Sequence, residues 1–347
     1  MDDIKLSGSQ LDTINSFKKI DKHLYLCNYQ NNYFLDELLK EGSNNLKELV
    51  SFLSGKMDLP KKYLNAKMPS FGCTSFNGVT PGGDYILARN FDFKDGPTLL
   101  LWTAPENGYK SIGLVDMNFL LYGYKHQNPD RLKTRLKLLI APYCCTDGIN
   151  EEGLSVAVLE LKTKATSQSN GNVPLPTTAV VRAVLDSCST VDEAIEKFRK
   201  FDMKDSLFCC YHYQIIDRSG RSVVIEYLNN EMKIIEEPVV PGGIVTLQAL
   251  TNFFISEGGD NAKAMGYDRF DIVKNDLLET KGLYTEKEAM GVLKRCNLDY
   301  PRFCYQVTTL WSAVYNASKA LVDICAGMDY EHQYRFDVTK PMAYELV

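Results

Sequence analysis

Apolar residues follow two regimes along this chain. Ahead of Gly72 they recur at helical spacing, as Phe34, Leu35, Leu38 and Leu39, then Leu46, Leu49, Val50 and Leu53. Gly42-Ser43 interrupts this pattern, so residues 33–56 predict two helices. A weaker helix is expected over 12–17 and a short strand over 23–29. Leu59-Pro60 and Met68-Pro69 have the composition of a linker. From Gly72 onward, strand-length runs separated by turn residues take over. Strands over 73–79 and 85–91 form a hairpin through Pro81-Gly82-Gly83-Asp84. Further strands are predicted over 98–103 and 111–115. Asp147-Gly148 is read as a turn continued by 149–153, and 154–161 as another strand. Residues 162–176 are polar and unpatterned, a candidate lid or specificity loop. Two helices follow, one over 178–186 and one opened by the capping box Thr190-Val-Asp-Glu193 and running to Phe201. Strands return over 208–216, 223–227 and 231–235, with a turn at Arg218-Ser-Gly-Arg221. Helices over 268–277 and 285–293 precede closing strands over 306–315, 319–325 and 333–338. Hairpins with two helical layers, rather than βαβ alternation, predict an α+β fold with antiparallel sheets covered by helices.

Composition narrows the class. The 347 residues are 45% hydrophobic and 24% charged, typical of a soluble globular enzyme with a large core. A formal net charge of −5 argues against nonspecific nucleic-acid binding. No apolar run approaches the roughly 18 residues of a membrane span. Residues 1–9 are acidic and polar, unlike a signal peptide, so a cytoplasmic, reducing location is expected. The ten cysteines are Cys27, Cys73, Cys144, Cys145, Cys188, Cys209, Cys210, Cys296, Cys304 and Cys325. They form no CxxC pair, and the four histidines, His23, His126, His212 and His332, share no motif, so neither a metal nor a cofactor is expected. Cys144-Cys145 and Cys209-Cys210 are expected to be strand thiols, since adjacent cysteines point to opposite faces.

One cysteine stands apart. Arg89 follows Cys73 by sixteen residues and Asp92 by nineteen, and the hairpin returns Arg89 alongside Cys73. A cation beside a thiol favours the thiolate. A cysteine nucleophile also needs a base, and the hairpin holds no histidine. An α-amino group, with an ordinary pKa of about 7.7–8.0, would serve. Cys73 has one only if the Gly72–Cys73 bond is cut. Residues 1–72 then become a mostly helical propeptide, removed or cleaved by autoproteolysis, and 73–347 the catalytic domain.

From Cys73 onward the chain resembles the linear amide C–N hydrolases of the N-terminal-nucleophile class, the choloylglycine hydrolase-like enzymes. The Cys73, Arg89 and Asp92 spacing matches theirs, as do Asp147-Gly-Ile-Asn-Glu-Glu-Gly-Leu154, Leu250-Thr-Asn252, Asp268-Arg-Phe270 and Thr308-Thr-Leu-Trp-Ser312. The resemblance implies a four-layer αββα sandwich with two antiparallel sheets. It further implies Cys73 as nucleophile, Arg89 stabilising the thiolate, and Asp92 anchoring the α-ammonium. Asn252 would donate to the oxyanion and Arg269 would be an additional active-site arginine. Thirteen residues after Asp147, where bile salt hydrolases carry Asn, stands Glu160. A glutamate there is similar to the acid ceramidase and N-acylethanolamine acid amidase branch, as is a long propeptide, which the penicillin acyltransferases also have. Glu160 is therefore a candidate for proton handling during self-cleavage.

The implied substrate is a small N-acyl amide, with neither nucleic acid nor a membrane span involved, and the family is compatible with homo-oligomers. Phe76, Phe91, Phe93, Phe253 and Phe254 flank the candidate residues and suggest an apolar acyl group. Transfer of the acyl group to an amine instead of water is an alternative on the same scaffold. An unprocessed, non-catalytic binding protein is the alternative of a different class.

Overall fold

The computed structural model describes residues 5–64, 72–121, 131–205, 209–243, 245–302 and 305–347. Met68-Pro69, His126, Cys304 and the start of the strand expected over 208–216 lie outside the described residues.

Two sheets stack face to face with helices outside them. The first has nine strands, in the spatial order Lys18–Lys19, Leu24–Tyr29, Thr98–Thr103, Ser111–Asp116, Asp147–Asn150, Ser155–Leu161, Cys210–Ile216, Ser222–Leu228 and Glu231–Ile235. Its pairs are antiparallel except Leu24–Tyr29 beside Thr98–Thr103, which run parallel. The second has eight. Ala249–Leu250, Gly72–Val79, Tyr85–Lys94, Tyr305–Asn316, Leu321–Ala326, Tyr334–Asp337 and Tyr344–Leu346 lie side by side, and Asp299–Arg302 pairs with Tyr305–Asn316. Helices Thr177–Ser187 and Val191–Arg199 cover the first sheet, and Tyr267–Thr280 and Glu286–Arg295 the second. This is the α+β sandwich of four layers. Central strands are buried on both faces, Thr98–Thr103 and Ser155–Leu161 throughout, which is why their apolar runs are continuous rather than alternating.

Several local expectations shift. The first helix is Gly8–Asn15, set by a capping box between Ser7 and Gln10 upstream of the expected 12–17. Asp147-Gly148 is not a turn but opens the strand Asp147–Asn150. The reversal falls later, at Gly153, whose φ is +89° and where a Cβ would collide with the Ala317 carbonyl. Cys144 closes a 3-10 segment, Leu136–Cys144, rather than sitting in a strand. The polar stretch 162–176 contains the short strand Val173–Leu175, parallel to Phe201–Met203.

Residues 5–64 are packed into this architecture. Besides their helices Leu35–Glu41 and Leu46–Met57 they supply the strand Leu24–Tyr29 to the nine-stranded sheet. Leu24, Leu26, Leu38, Leu49 and Leu53 belong to the same buried cluster as the sheet itself. The Tyr33 hydroxyl donates to Asp186 Oδ2 at 2.6 Å, and the Ser43 N–H to the Pro174 carbonyl at 2.7 Å.

Candidate active site

The hairpin Gly72–Val79 / Tyr85–Lys94 places the candidate residues by simple alternation. Its register pairs Gly72 with Asp92, Cys73 with Phe91 and Ser75 with Arg89. Paired residues share a face, and successive residues alternate. Cys73, Ser75, Arg89 and Phe91 therefore look between the two sheets, where Ser75 Oγ donates to Gln214 Oε1 at 2.6 Å. Gly72, Thr74 and Asp92 look the other way, toward helix Tyr267–Thr280.

On the inner face, Arg89 Nη2 lies 3.1 Å from Cys73 Sγ and donates to the Val158 carbonyl at 2.9 Å. Its Nη1 donates to the Thr146 carbonyl at 3.2 Å and pairs with Asp147 Oδ1 at 3.4 Å, both side chains fully buried. Asp147 also accepts from Trp311 Nε1, the Tyr315 hydroxyl and Thr146 Oγ1 at 2.8–3.0 Å. The guanidinium sits over the rings of Phe91 and Trp311, themselves stacked at 4.1 Å.

On the outer face, Arg269 reaches down from its helix. It donates to the Cys73 carbonyl, to Thr74 Oγ1 at 2.8 Å, to Asp92 Oδ2 at 3.2 Å and to Asn252 Oδ1 at 2.9 Å. Thr309 Oγ1 donates to the other Asp92 oxygen at 2.5 Å. Asn252 Oδ1 accepts the Cys73 N–H at 3.0 Å, and its Nδ2 donates to the Glu160 carbonyl at 2.9 Å. A β-bulge makes the two faces compatible. The register between Tyr305–Asn316 and Tyr85–Lys94 slips between Thr309 and Trp311. Without the extra residue, Thr309 and Trp311 would share a face; with it, one reaches Asp92 and the other stacks on Phe91.

The cluster thus unites Cys73, Arg89, Asp92, Asn252 and Arg269. Glu160 joins it through its carbonyl oxygen. The Glu160 side chain shares a face with its partner Tyr211 and with Tyr213, which contacts Thr177 of the covering helix, and Glu160 Oε1 accepts from the Cys209 thiol at 3.4 Å. Asp147, expected to be part of a structural turn, is instead the counter-ion of Arg89. It heads the motif quoted above, so the signal was present and its charge was not used. Thr309 and Trp311 were legible only as a strand segment.

The electrostatics revise one expectation. Burial pushes the Cys73 thiol up to about 12, outweighing the pull of Arg89, while Asp92 and Asp147 add to the rise. Arg89 does act in the anticipated direction, but its charge is shared with Asp147 and Cys73 is fully buried. The thiol is therefore held neutral in this structure. Burial also raises Asp92, against Arg269 and Thr309. Of the flanking phenylalanines, Phe76, Phe91, Phe93 and Phe254 are core, and Phe253 is partly exposed, stacked on Tyr267 at 4.5 Å. The nine described cysteines are free and buried. Among the described residues no group of three or more His, Cys, Asp or Glu is placed to hold a metal ion, and no helix is long and apolar enough to cross a membrane.

A family model for linear amide C–N hydrolases, choloylglycine hydrolase family, matches residues 73–248. Penicillin V acylase from Pectobacterium atrosepticum is 30% identical over 181 residues, covering 48% of this chain and 46% of that protein; the match spans about half the length of that relative. Among solved structures, conjugated bile acid hydrolase from Clostridium perfringens superposes with a TM-score of 0.54 at 14% identity, over 79% of this chain and 96% of the other. Penicillin V acylase from Agrobacterium tumefaciens does so with a TM-score of 0.50 at 19% identity, over 77% and 87%. At these identities the structural likeness is one of fold.

Proposed function

This chain belongs to the choloylglycine hydrolase family of linear amide C–N hydrolases, and from that premise we propose that it is an autoprocessed N-terminal-cysteine amidohydrolase. It cleaves a linear, non-peptide C–N amide bond of an N-acyl substrate through an acyl-thioester. The observation that carries this reading is that one residue, Cys73, is gripped at both of its reactive atoms. Arg89 meets its sulfur and Asn252 its nitrogen, at 3.1 and 3.0 Å. Any buried N–H needs an acceptor, but here the acceptor is a side-chain amide that also meets Arg269, rather than the carbonyl of a neighbouring strand. The family match starting at residue 73 supports the same boundary.

The first reaction is on the chain itself. Cys73 Sγ attacks the Gly72 carbonyl carbon, the C–N bond to Cys73 breaks, and the thiol proton ends on the departing nitrogen. Water then hydrolyses the thioester, leaving a carboxylate at Gly72 and a free Cys73 thiol. Gly72 suits this position because an added Cβ would come tightly against Asp92 Cβ at 3.3 Å. The freed α-amine keeps Asn252 Oδ1 as its acceptor, and Asp92, opposite Gly72 in the register, is the carboxylate that holds it as the ammonium. In the second reaction the thiolate attacks the substrate carbonyl and the α-amine moves the proton to the leaving nitrogen. The second hydrogen of Asn252 Nδ2, beyond the one given to Glu160, donates to the oxyanion. Arg89 holds the thiolate and Arg269 fixes the Cys73 carbonyl. Glu160 acts through its carbonyl, as the acceptor that orients Asn252.

The acyl half is apolar, and the partly exposed Phe253 beside Asn252 supports that choice. Hydrolysis of penicillin V, a glycine-conjugated bile acid and an N-acylethanolamine by processed protein, with a Cys73→Ala control, tests the reading. Turnover of at least one that vanishes in the control is expected. No turnover of any by protein with a free Cys73 amine would overturn the amidohydrolase reading.

A further inference from the structure

A buried histidine outside the catalytic cluster touches the loop that carries Asn252. His212 lies on strand Cys210–Ile216 and Glu226 on the neighbouring Ser222–Leu228, one step along the register from the Tyr213–Ile225 pair. Both side chains are fully buried and their Nδ1 and Oε1 are 3.1 Å apart. His212 Nε2 is 2.8 Å from the Thr251 carbonyl. Glu226 Oε1 accepts from the Ile255 N–H, and Oε2 from the Ser256 N–H, each at 2.9 Å. The pair therefore grips both ends of residues 251–256, and Asn252 lies between the grips.

Hydrogen-bond accounting gives the pair its charge. A carbonyl can only accept, so Nε2 carries a proton. Glu226 accepts two main-chain N–H bonds, which favour its ionised form, so Nδ1 donates to it as well. Burial raises the Glu226 carboxyl, but the bonds from His212, Ser256 and Ile255 outweigh this and hold it below its ordinary range. A buried imidazolium–carboxylate pair with satisfied hydrogen bonds is rigid, and losing one partner leaves the other uncompensated.

We propose that His212 and Glu226 are positioning residues, a fixed ion pair that sets the Thr251–Ser256 loop and through it the Asn252 amide against Cys73. The functional consequence rests on the amidohydrolase reading; the geometric claim does not. Nitrogen-15 NMR on histidine-labelled protein, with the His212 signals assigned through His212→Gln, tests the charge directly. Both ring nitrogens protonated at pH 7 is the expected result, and a neutral ring overturns the proposal. In protein-wide labelling, the Asn252 side-chain amide signal, assigned through Asn252→Ala, should move in Glu226→Gln and stay put in the surface control Asp329→Asn. An unmoved signal in Glu226→Gln contradicts the coupling. With penicillin V as probe, Glu226→Gln should lower kcat by about tenfold or more, since small misplacements of a catalytic group are costly. In an Asn252→Ala background the same change should have no further effect, whereas a merely structural role would give the same loss in both backgrounds. Absent turnover of penicillin V by the wild type counts against the substrate choice, and the two NMR measurements still decide the positioning claim.

Discussion

On the hairpin face between the sheets, Arg89 meets Cys73 through its thiol; on the opposite face, Arg269 meets the same residue through its main chain. The two arginines are wired differently. Among the described residues each arginine has one carboxylate partner, Asp147 for Arg89 and Asp92 for Arg269, but Arg89 is otherwise enclosed by the Cys73 sulfur, main-chain carbonyls and two aromatic rings. Arg269 spreads over four oxygens, from Cys73, Thr74, Asp92 and Asn252. The inner face is therefore a sealed charge pair. The outer face is a distributed network that can lose a member and still hold Cys73 through its main chain. Stability should track the first and chemistry at the Cys73 nitrogen the second.

Cys73→Ala removes the sulfur that Arg89 meets and leaves the main chain that Arg269 and Asn252 hold, so it should abolish self-cleavage and hydrolysis together. Intact mass and an amide-hydrolysis assay check this, and residual cleavage would remove Cys73 from the mechanism. A second large effect concerns the segment before the cut. Because residues 24–29 form a strand inside the nine-stranded sheet, the cleaved N-terminal piece should stay bound through native gel filtration and separate only in denaturant. Its spontaneous loss would contradict the packing.

The two faces separate in the next pair. Asp147→Asn leaves the buried Arg89 charge without its carboxylate, which should cost about 3–5 kcal/mol in urea unfolding. Asp92→Asn leaves Arg269 three other acceptors and should cost roughly 1–2 kcal/mol, yet slow the appearance of the cleaved fragment more than its stability loss explains. Equal stability losses would erase the distinction. Asn252→Ala should lower kcat of processed enzyme by about 10²–10³, alongside a stability loss of about 1–3 kcal/mol from the buried partners it leaves at Glu160 and Arg269. A smaller effect lies outside both faces. Burial pushes Asp116 up to about 8 against its bonds from Asn118. The folded chain then keeps a proton that the unfolded chain has lost, so stability present below pH 4 falls as the pH rises toward 8. Between pH 5 and 8 this should amount to about 3 kcal/mol in the wild type and disappear in Asp116→Asn, as read by pH-dependent unfolding.

Much of the inner layer could be read from the chain, because strand alternation and turn residues fix a hairpin and its register locally. Cys73, Arg89 and Asp92 were legible for that reason. Asp147 was misread because a Gly beside an Asp carries a turn signal, and only pairing with strand Ser111–Asp116 makes it extended. The bulge at Thr309–Trp311 left no mark, since one added residue changes no composition. The parallel strand Leu24–Tyr29 looked like an isolated piece because its partner lies far along the chain. The grip of His212 on the Asn252 loop is likewise a contact between segments, which spacing along the sequence cannot show.

The central claim is that Cys73 becomes an N-terminal nucleophile. Intact mass of freshly purified protein under denaturing conditions, with N-terminal sequencing of the products, tests it most directly. The account predicts a small fragment ending at Gly72 and a large one beginning at Cys73. A single chain that stays uncut across acidic and neutral pH would contradict it.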